Sequence, residues 1–310
     1  MTYLDSPTVD QWHYVRWTVL LLSCLAVLLV IYLKSSDPYG LFHLTLNKLP
    51  GEDPDAEPKT EWLNMGYWRD TDVFPEACRA LALKLIKAAQ IGPGGNVLDV
   101  GHGTGESLIL QLSDADVPRP AHLSGITSLK SHYERSGKRI ARLHSKPDIS
   151  LYLGDAIYRP DIQGPHPLDP SSSSEPFTAI LALDCAYHFD TRKLFLEQSF
   201  HRLAPGGRIS LADICFSKTA LRSGWIRFFV SLCALMPLAN IVSPEEYTRS
   251  MKAIGYDDIR FEDISCDVFP GFSRFLRGRG WGWAVFASVI GWLGQSGMLF
   301  IVISGAKPSP

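Results

Sequence analysis

The stretch Asn96-Val97-Leu98-Asp99-Val100-Gly101-His102-Gly103-Thr104-Gly105-Glu106-Ser107 sets a carboxylate inside an apolar run, then three glycines at alternate positions. The run Val97–Val100 has the length of a buried strand, and the residues after Gly105 are helix formers. Strand, glycine turn and helix N-terminus make a nucleotide site at the carboxyl edge of an α/β sheet. Glycine lets the backbone take left-handed dihedrals and lets a ligand approach the main chain. The spacing here is G-x-G-x-G, whereas a dinucleotide fingerprint wants G-x-G-x-x-G and an acid roughly 20 residues on. The next predicted strand, His122–Ile126, ends in Thr127-Ser128 and not in an acid. No Gly-Lys-Ser/Thr follows the turn, which excludes a P-loop.

A second group with chemistry follows the predicted strand Phe177–Leu183: Asp184-Cys185-Ala186-Tyr187-His188-Phe189. A neutral imidazole at His188, beside Tyr187, can accept a proton from a phenol or an amine. Alternatively, His188 hydrogen-bonds the sheet edge or a cofactor. Asp213, placed at the end of the predicted strand Arg208–Asp213, is a weaker candidate base.

Other elements must position these groups. Glu76–Gln90 has helical apolar spacing and stops at Gly92-Pro93-Gly94-Gly95. Ile149–Leu153 reads as a strand that runs into Gly154-Asp155-Ala156. Tyr158–Pro176, rich in proline and serine, reads as a mobile loop that packs no core. Ser243-Pro244-Glu245-Glu246 is a helix start, and Ile259–Ile264 alternates as a strand. The uncharged stretch 281–305 is long enough to cross a bilayer. Its glycines and the run Met298–Ser304 instead favour a helix followed by a last strand, with a second span as the alternative.

A formal charge of −2 in 310 residues argues against a nucleic-acid partner. Six scattered cysteines without C-x-x-C suggest neither a zinc site nor a disulfide framework. No metal constellation is visible in the sequence.

Asp99 through Gly105 resembles the first motif of the class I S-adenosylmethionine-dependent methyltransferases. The likeness continues in family order. Gly66-Tyr67-Trp68, Gly125-Ile126-Thr127 and Gly154-Asp155-Ala156 are similar to stretches of the small-molecule, tocopherol- and sterol-type branch, and Leu203-Ala204-Pro205-Gly206-Gly207 to the turn before the fifth strand. The resemblance implies a doubly wound, mostly parallel seven-stranded Rossmann-like sheet with S-adenosyl-L-methionine as cofactor. By that likeness Gly101, Gly103 and Gly105 pass under the cofactor's amino-acid part, and Asp99 helps hold its ammonium end. Tyr67, with Trp68, covers the site or packs as a plain aromatic cluster. Thr127 and Ser128 meet the ribose, Asp155 and Ala156 the adenine, and Asp184 joins the cofactor set. His132 stands where that branch has glutamine.

Trp17–Leu33 carries no charge and is bounded by Arg16 and Lys34, so it reads as an uncleaved single-pass transmembrane anchor after a tail, 1–16; the rival is a cleaved signal peptide, for which the tail, with Asp5 and Asp10, is a poor basic region. A linker, 34–60, leads to a methyltransferase domain, 61–310. Within it, 215–242 is expected to cap the substrate and 266–296 to lie against a membrane, with Arg274, Arg277 and Arg279 beside Trp281 and Trp283. Because the cofactor is made in the cytosol, the domain should face it, on the endoplasmic reticulum in a eukaryotic cell. The expected activity is methyl transfer to a lipophilic small molecule, on O, N, S or C. The rivals are an anchored NAD(P)-dependent oxidoreductase, although no tyrosine has a lysine four residues on, and a silent cofactor-binding scaffold.

Overall fold

The computed structural model describes residues 41–49, 51–53, 55–143, 148–161, 164–222 and 236–310. The expected anchor, 17–33, and the middle of the expected cap, 223–235, lie outside these residues.

Seven strands form one sheet: β1 (Asn96–Val100), β2 (His122–Thr127), β3 (Ile149–Leu153), β4 (Phe177–Leu183), β5 (Leu203–Phe216), β6 (Asp257–Asp263) and β7 (Met298–Ala306), in the order β3-β2-β1-β4-β5-β7-β6. β1 to β5 run parallel and β7 is antiparallel to both β5 and β6. The central strands are apolar on both faces, as strands covered on both sides must be. Val97, Leu98, Val100, Ile180, Ala182, Ile209 and Leu211 are fully enclosed. Edge strand β6 is instead mostly charged and exposed, which keeps an open edge from pairing with another chain.

The covering helices are α1 (Phe74–Ala89), α2 (Glu106–Ser113), α3 (Lys130–Ile140), α4 (Arg192–Arg202), α5 (Pro244–Ile254), α6 (Ser265–Arg277) and α7 (Trp281–Gln295). α5 begins with a full capping box between Ser243 and Glu246, with Pro244 at its first position. The stretch 281–305 is divided as its glycines suggest. α7 ends at Gln295, Gly297 turns at φ 96°, and β7 then enters the sheet between β5 and β6. Among the described residues no helix is long and apolar enough to cross a membrane.

Two expectations need correction. The described part of Tyr158–Pro176 does pack: Leu168 is buried, and the Arg202 guanidinium donates to the carbonyls of Pro167, Ser172 and Ser174. One apolar plug and one arginine order a segment whose composition reads as loose. Asp213 does not end its strand, because β5 continues to Phe216.

Candidate functional site

The strand order reverses between β1 and β4, which opens a crevice at their carboxyl ends. Gly101, Gly103 and Gly105 stand there at φ 74°, 55° and 92°. A Cβ on Gly101 would lie 2.7 Å from Cys185 Sγ, one on Gly103 3.0 Å from Leu63 Cδ1, and one on Gly105 2.8 Å from Ser136 Cβ. Both dihedral and space therefore require glycine at Gly101 and Gly105. α2 starts immediately after Gly105, and no side chain caps its first turn. Its leading amides are thus available to a negatively charged group.

Two carboxylates border this turn. Asp99 is 1% exposed, and Gln111 Nε2 donates to its Oδ2 at 2.9 Å. Asp184, at φ 55° just after β4, accepts the Met65 N–H on Oδ2 at 2.7 Å and a hydrogen bond from Tyr187. Asp184 keeps some exposure as a residue, but its Oδ1, like that of Asp99, is enclosed without a hydrogen-bond partner among the described residues. Burial pushes each carboxyl up to about 7, against hydrogen bonds that favour the charged form. Two enclosed acids with an unused oxygen each are what a bound cation would satisfy. S-adenosylmethionine carries an ammonium and a sulfonium, so the residues present fit it.

His102 lies within the turn. Its Nδ1 faces the Gly103 carbonyl at 3.0 Å and must carry the proton, which leaves Nε2 enclosed without a partner among the described residues. Burial lowers its pKa to about 4, so the ring is neutral.

A strap closes over the glycines. Thr104 Oγ1 donates to the Glu61 carbonyl at 2.7 Å. Arg135 grips the Glu61 carboxylate with two bonds of 2.7 Å, and Arg139 pairs with Glu106. Glu106 in turn accepts the Glu61 N–H at 2.8 Å. Leu63 and Met65 then reach the glycine turn and Asp184. Tyr67 does not: its ring lies 4.9 Å from Lys84 Nζ and 6.0 Å from the Arg69 guanidinium, while Trp68 packs on Phe74 and Phe275. The aromatic pair faces α1 and α6, and the covering residues lie just upstream of it. Nothing in the Gly66-Tyr67-Trp68 motif signals this. The i,i+4 arginines on α3 and the single glutamate at position 61 were the available clue.

The adenine and ribose candidates lie at the neighbouring strand ends. Thr127 is buried and Ser128 exposed. Gly154 N donates to the Thr127 carbonyl at 3.0 Å, which sets the β3 end beside the β2 end. Asp155 is exposed and Ala156 buried; Asp155 Oδ1 accepts the Ile157 N–H, and its carbonyl meets His166 Nε2.

Tyr187 and His188 form a single turn, Ala186–His188, with ring centroids 4.2 Å apart. Tyr187 is buried and His188 exposed. Asn240 fixes this turn: its Nδ2 donates to the Tyr187 carbonyl at 3.0 Å and the Phe189 carbonyl at 2.7 Å, and its Oδ1 accepts the Arg192 N–H. Asp213 belongs to the same support, fully buried between Arg192 at 2.8 Å and the Tyr247 hydroxyl at 2.9 Å. It has no open path to a substrate, and its role as a base is withdrawn. Among the described residues no three His, Cys, Asp or Glu side chains are grouped as metal ligands.

No family profile matches the chain. It is 26% identical over 244 residues to an erythromycin 3''-O-methyltransferase of Saccharopolyspora erythraea, covering 74% of this chain and 73% of that one. It is 24% identical to a probable chloroplastic tocopherol O-methyltransferase of Oryza sativa subsp. japonica, covering 69% and 55%. Among solved structures, the [4+2]-cyclase SpnF superposes with a TM-score of 0.61 at 17% identity, covering 80% of this chain and 89% of that one. A geranyl diphosphate methyltransferase in complex with S-adenosylmethionine superposes at 0.57 and 16% identity, covering 75% and 86%. A fold shared with a cyclase does not by itself fix the reaction. The relatives matched by sequence over most of this chain transfer methyl groups, which leaves the oxidoreductase alternative without support. With them, this chain is a class I S-adenosylmethionine-dependent methyltransferase.

Proposed function

We propose that the chain methylates a hydroxyl oxygen of a lipophilic small molecule, at a membrane to which residues 17–33 anchor it, with the domain on the cytosolic side. The observation that carries the chemistry is the Tyr187-His188 turn. It stands at the switch point, next to Asp184 and the glycine cradle, with one ring in the core and the other reaching solvent. When bound, S-adenosylmethionine supplies an electrophilic methyl group. The residues that would hold it are Asp99 and Asp184 on its cationic groups, the glycine turn and the first amides of α2 on its carboxylate, Thr127 and Ser128 on the ribose, and Asp155 with Ala156 at the adenine. The rest is positioning and removal of one proton. His188 accepts the hydroxyl proton at an imidazole nitrogen. Tyr187, fixed through its hydrogen bond to Asp184, keeps that imidazole at a set place in the crevice. The names of the two sequence relatives, both O-methyltransferases, support oxygen as the acceptor atom.

The test uses the full chain in membranes with methyl-labelled cofactor, offered a panel of lipid-soluble phenols, alcohols and amines. Label should appear in an O-methyl product. His188→Gln should lower kcat by about 10²–10⁴-fold, leave cofactor affinity unchanged and remove an ionisation from the pH profile. Label found only on nitrogen or carbon overturns the choice of oxygen, and an unchanged His188→Gln rate overturns the base.

A further inference from the structure

α7 contains no charged residue, yet it lies on the surface. Its inner stripe, Ala287, Ile290 and Leu293, is buried, and the helix packs on α6 and β7. Its outer stripe is Trp281, Val285 and Trp292, which are 86%, 57% and 45% exposed, and Phe286, on the flank toward Ile290 and Leu293, is 38% exposed. An exposed apolar stripe of this kind calls for a partner.

Charge indicates which partner. From Val268 to the end of the chain there is no Asp or Glu, while Arg274, Arg277 and Arg279 cluster where α6 passes into α7. Arg274 is paired with Asp72 at 2.8 Å. Arg277 leans over the helix, with Nη2 3.9 Å from where a Cβ on Gly291 would stand. Arg279 lies 4.5 Å above the Phe275 ring and reaches the Lys48 carbonyl at 3.4 Å, beside exposed Leu49. Tryptophans at the surface of a helix that carries no acid, with Arg277 and Arg279 at its rim, suit the boundary between phosphate headgroups and acyl chains. A second copy of this chain suits it less. A two-fold contact through this patch would bring both arginine clusters together with no acid from α7 to offset them.

We infer that the outer face of α7, with Arg277 and Arg279, rests in the interface of a phospholipid bilayer rich in anionic headgroups. This contact is separate from the proposed anchor and from the acceptor's chemistry. The same apolar cluster contains Tyr187, Met236 and Phe269 as well as Ile290 and Leu293. The membrane-facing helix is therefore continuous in packing with the catalytic turn.

The experiment uses the full chain with vesicles of phosphatidylcholine, with or without phosphatidylserine, doped with a phospholipid carrying a diazirine near its headgroup. Adducts are mapped by mass spectrometry. Adducts are expected on the Trp281–Trp292 peptide, stronger with phosphatidylserine and weaker at high salt. Arg277→Gln with Arg279→Gln should lower that yield about tenfold. Trp281→Ser, at a site too exposed to affect folding, should lower it further with an unchanged circular dichroism spectrum. Adducts absent from α7 but present at 17–33 overturn the inference, as does a yield indifferent to anionic lipid and to the arginines. Self-association that Trp281→Ser abolishes assigns the face to a second copy and also overturns it. Turnover is not read, so failure here leaves the methyl-transfer proposal standing.

Discussion

Cofactor affinity should rise with pH across the neutral range, because the site holds two carboxyls that burial has made weak acids. Asp99 and Asp184 are each raised to about 7, with desolvation as the leading cause. Below that pH each is protonated in the free protein. A cation placed against the unused Oδ1 atoms favours the charged forms, so binding expels a proton from each. If the bound carboxyl stays ionised throughout, a group near 7 strengthens binding by about 25-fold between about pH 5.5 and 7.5, and two such groups by about 600-fold. Calorimetry in buffers of different ionisation enthalpy reads the affinity and the protons released together. Asp184→Asn keeps an oxygen for the Met65 N–H and should remove one proton and about 25-fold of the pH dependence. Stability has the opposite sign. A raised carboxyl stabilises the ligand-free fold fully below its unfolded value of 3.8, and that contribution is lost as pH rises through about 7. The ligand-free Tm should therefore fall over this range, with cofactor restoring more of it at the upper end. An affinity that is flat or falls with pH, with no proton released, would refute the assignment of these acids to the cofactor's cationic groups.

Gly103→Val places a branched residue at φ 55° with its Cβ 3.0 Å from Leu63. Backbone strain of about 1–2 kcal/mol, together with a branched side chain pushed into the space proposed for the cofactor, should abolish cofactor binding in calorimetry on the folded variant. Asn240→Ala orphans the carbonyls of Tyr187 and Phe189 at a cost of about 1–3 kcal/mol each. It should lower kcat well before it lowers cofactor affinity, and the split is read from steady-state kinetics beside binding. Glu61→Gln leaves Arg135 without its buried carboxylate and should cost up to about 3 kcal/mol in denaturant titration. Stopped-flow dissociation should also show faster release of the cofactor as the strap loosens.

The sheet was legible because its signals are local. β1, β4 and β7 are short apolar runs bounded by glycine or an acid, and Ser243-Pro244 marks a helix start by capping alone. The cradle was legible for the same reason, since only glycine tolerates those dihedrals. What could not be read is what depends on distant pairing. Met65 donates to Asp184 across 119 positions, and Thr104 to Glu61 across 43. No spacing within either segment announces such a contact. Tyr67 shows the limit most clearly. Its aromatic motif marks the right segment, but a turn at Gly66, with φ 77° and close packing on Ala77, sends the rings to α1 and α6. Asp213 misled for a related reason. An acid in a strand can face a ligand or a buried arginine, and Arg192 lies on another element.

On the proposed assignment, the loop from Asp184 to Phe189 links cofactor and acceptor chemistry through consecutive residues. Asp184 turns its carboxyl to the cradle, and Cys185 fills the space that Gly101 leaves, its thiol donating to the Val100 carbonyl at 3.3 Å. Ala186 is fully buried, Tyr187 ties back to Asp184, and His188 emerges to solvent. Asn240 grips the carbonyls on either side of His188. Such a loop cannot shift the His188 main chain without dragging Asp184, the acid proposed to meet the cofactor. If His188 is the base, as proposed, main-chain geometry sets where its Cα stands relative to Asp184. That is the arrangement an in-line transfer requires, because a misplacement of about 1 Å can cost about 10²-fold in rate.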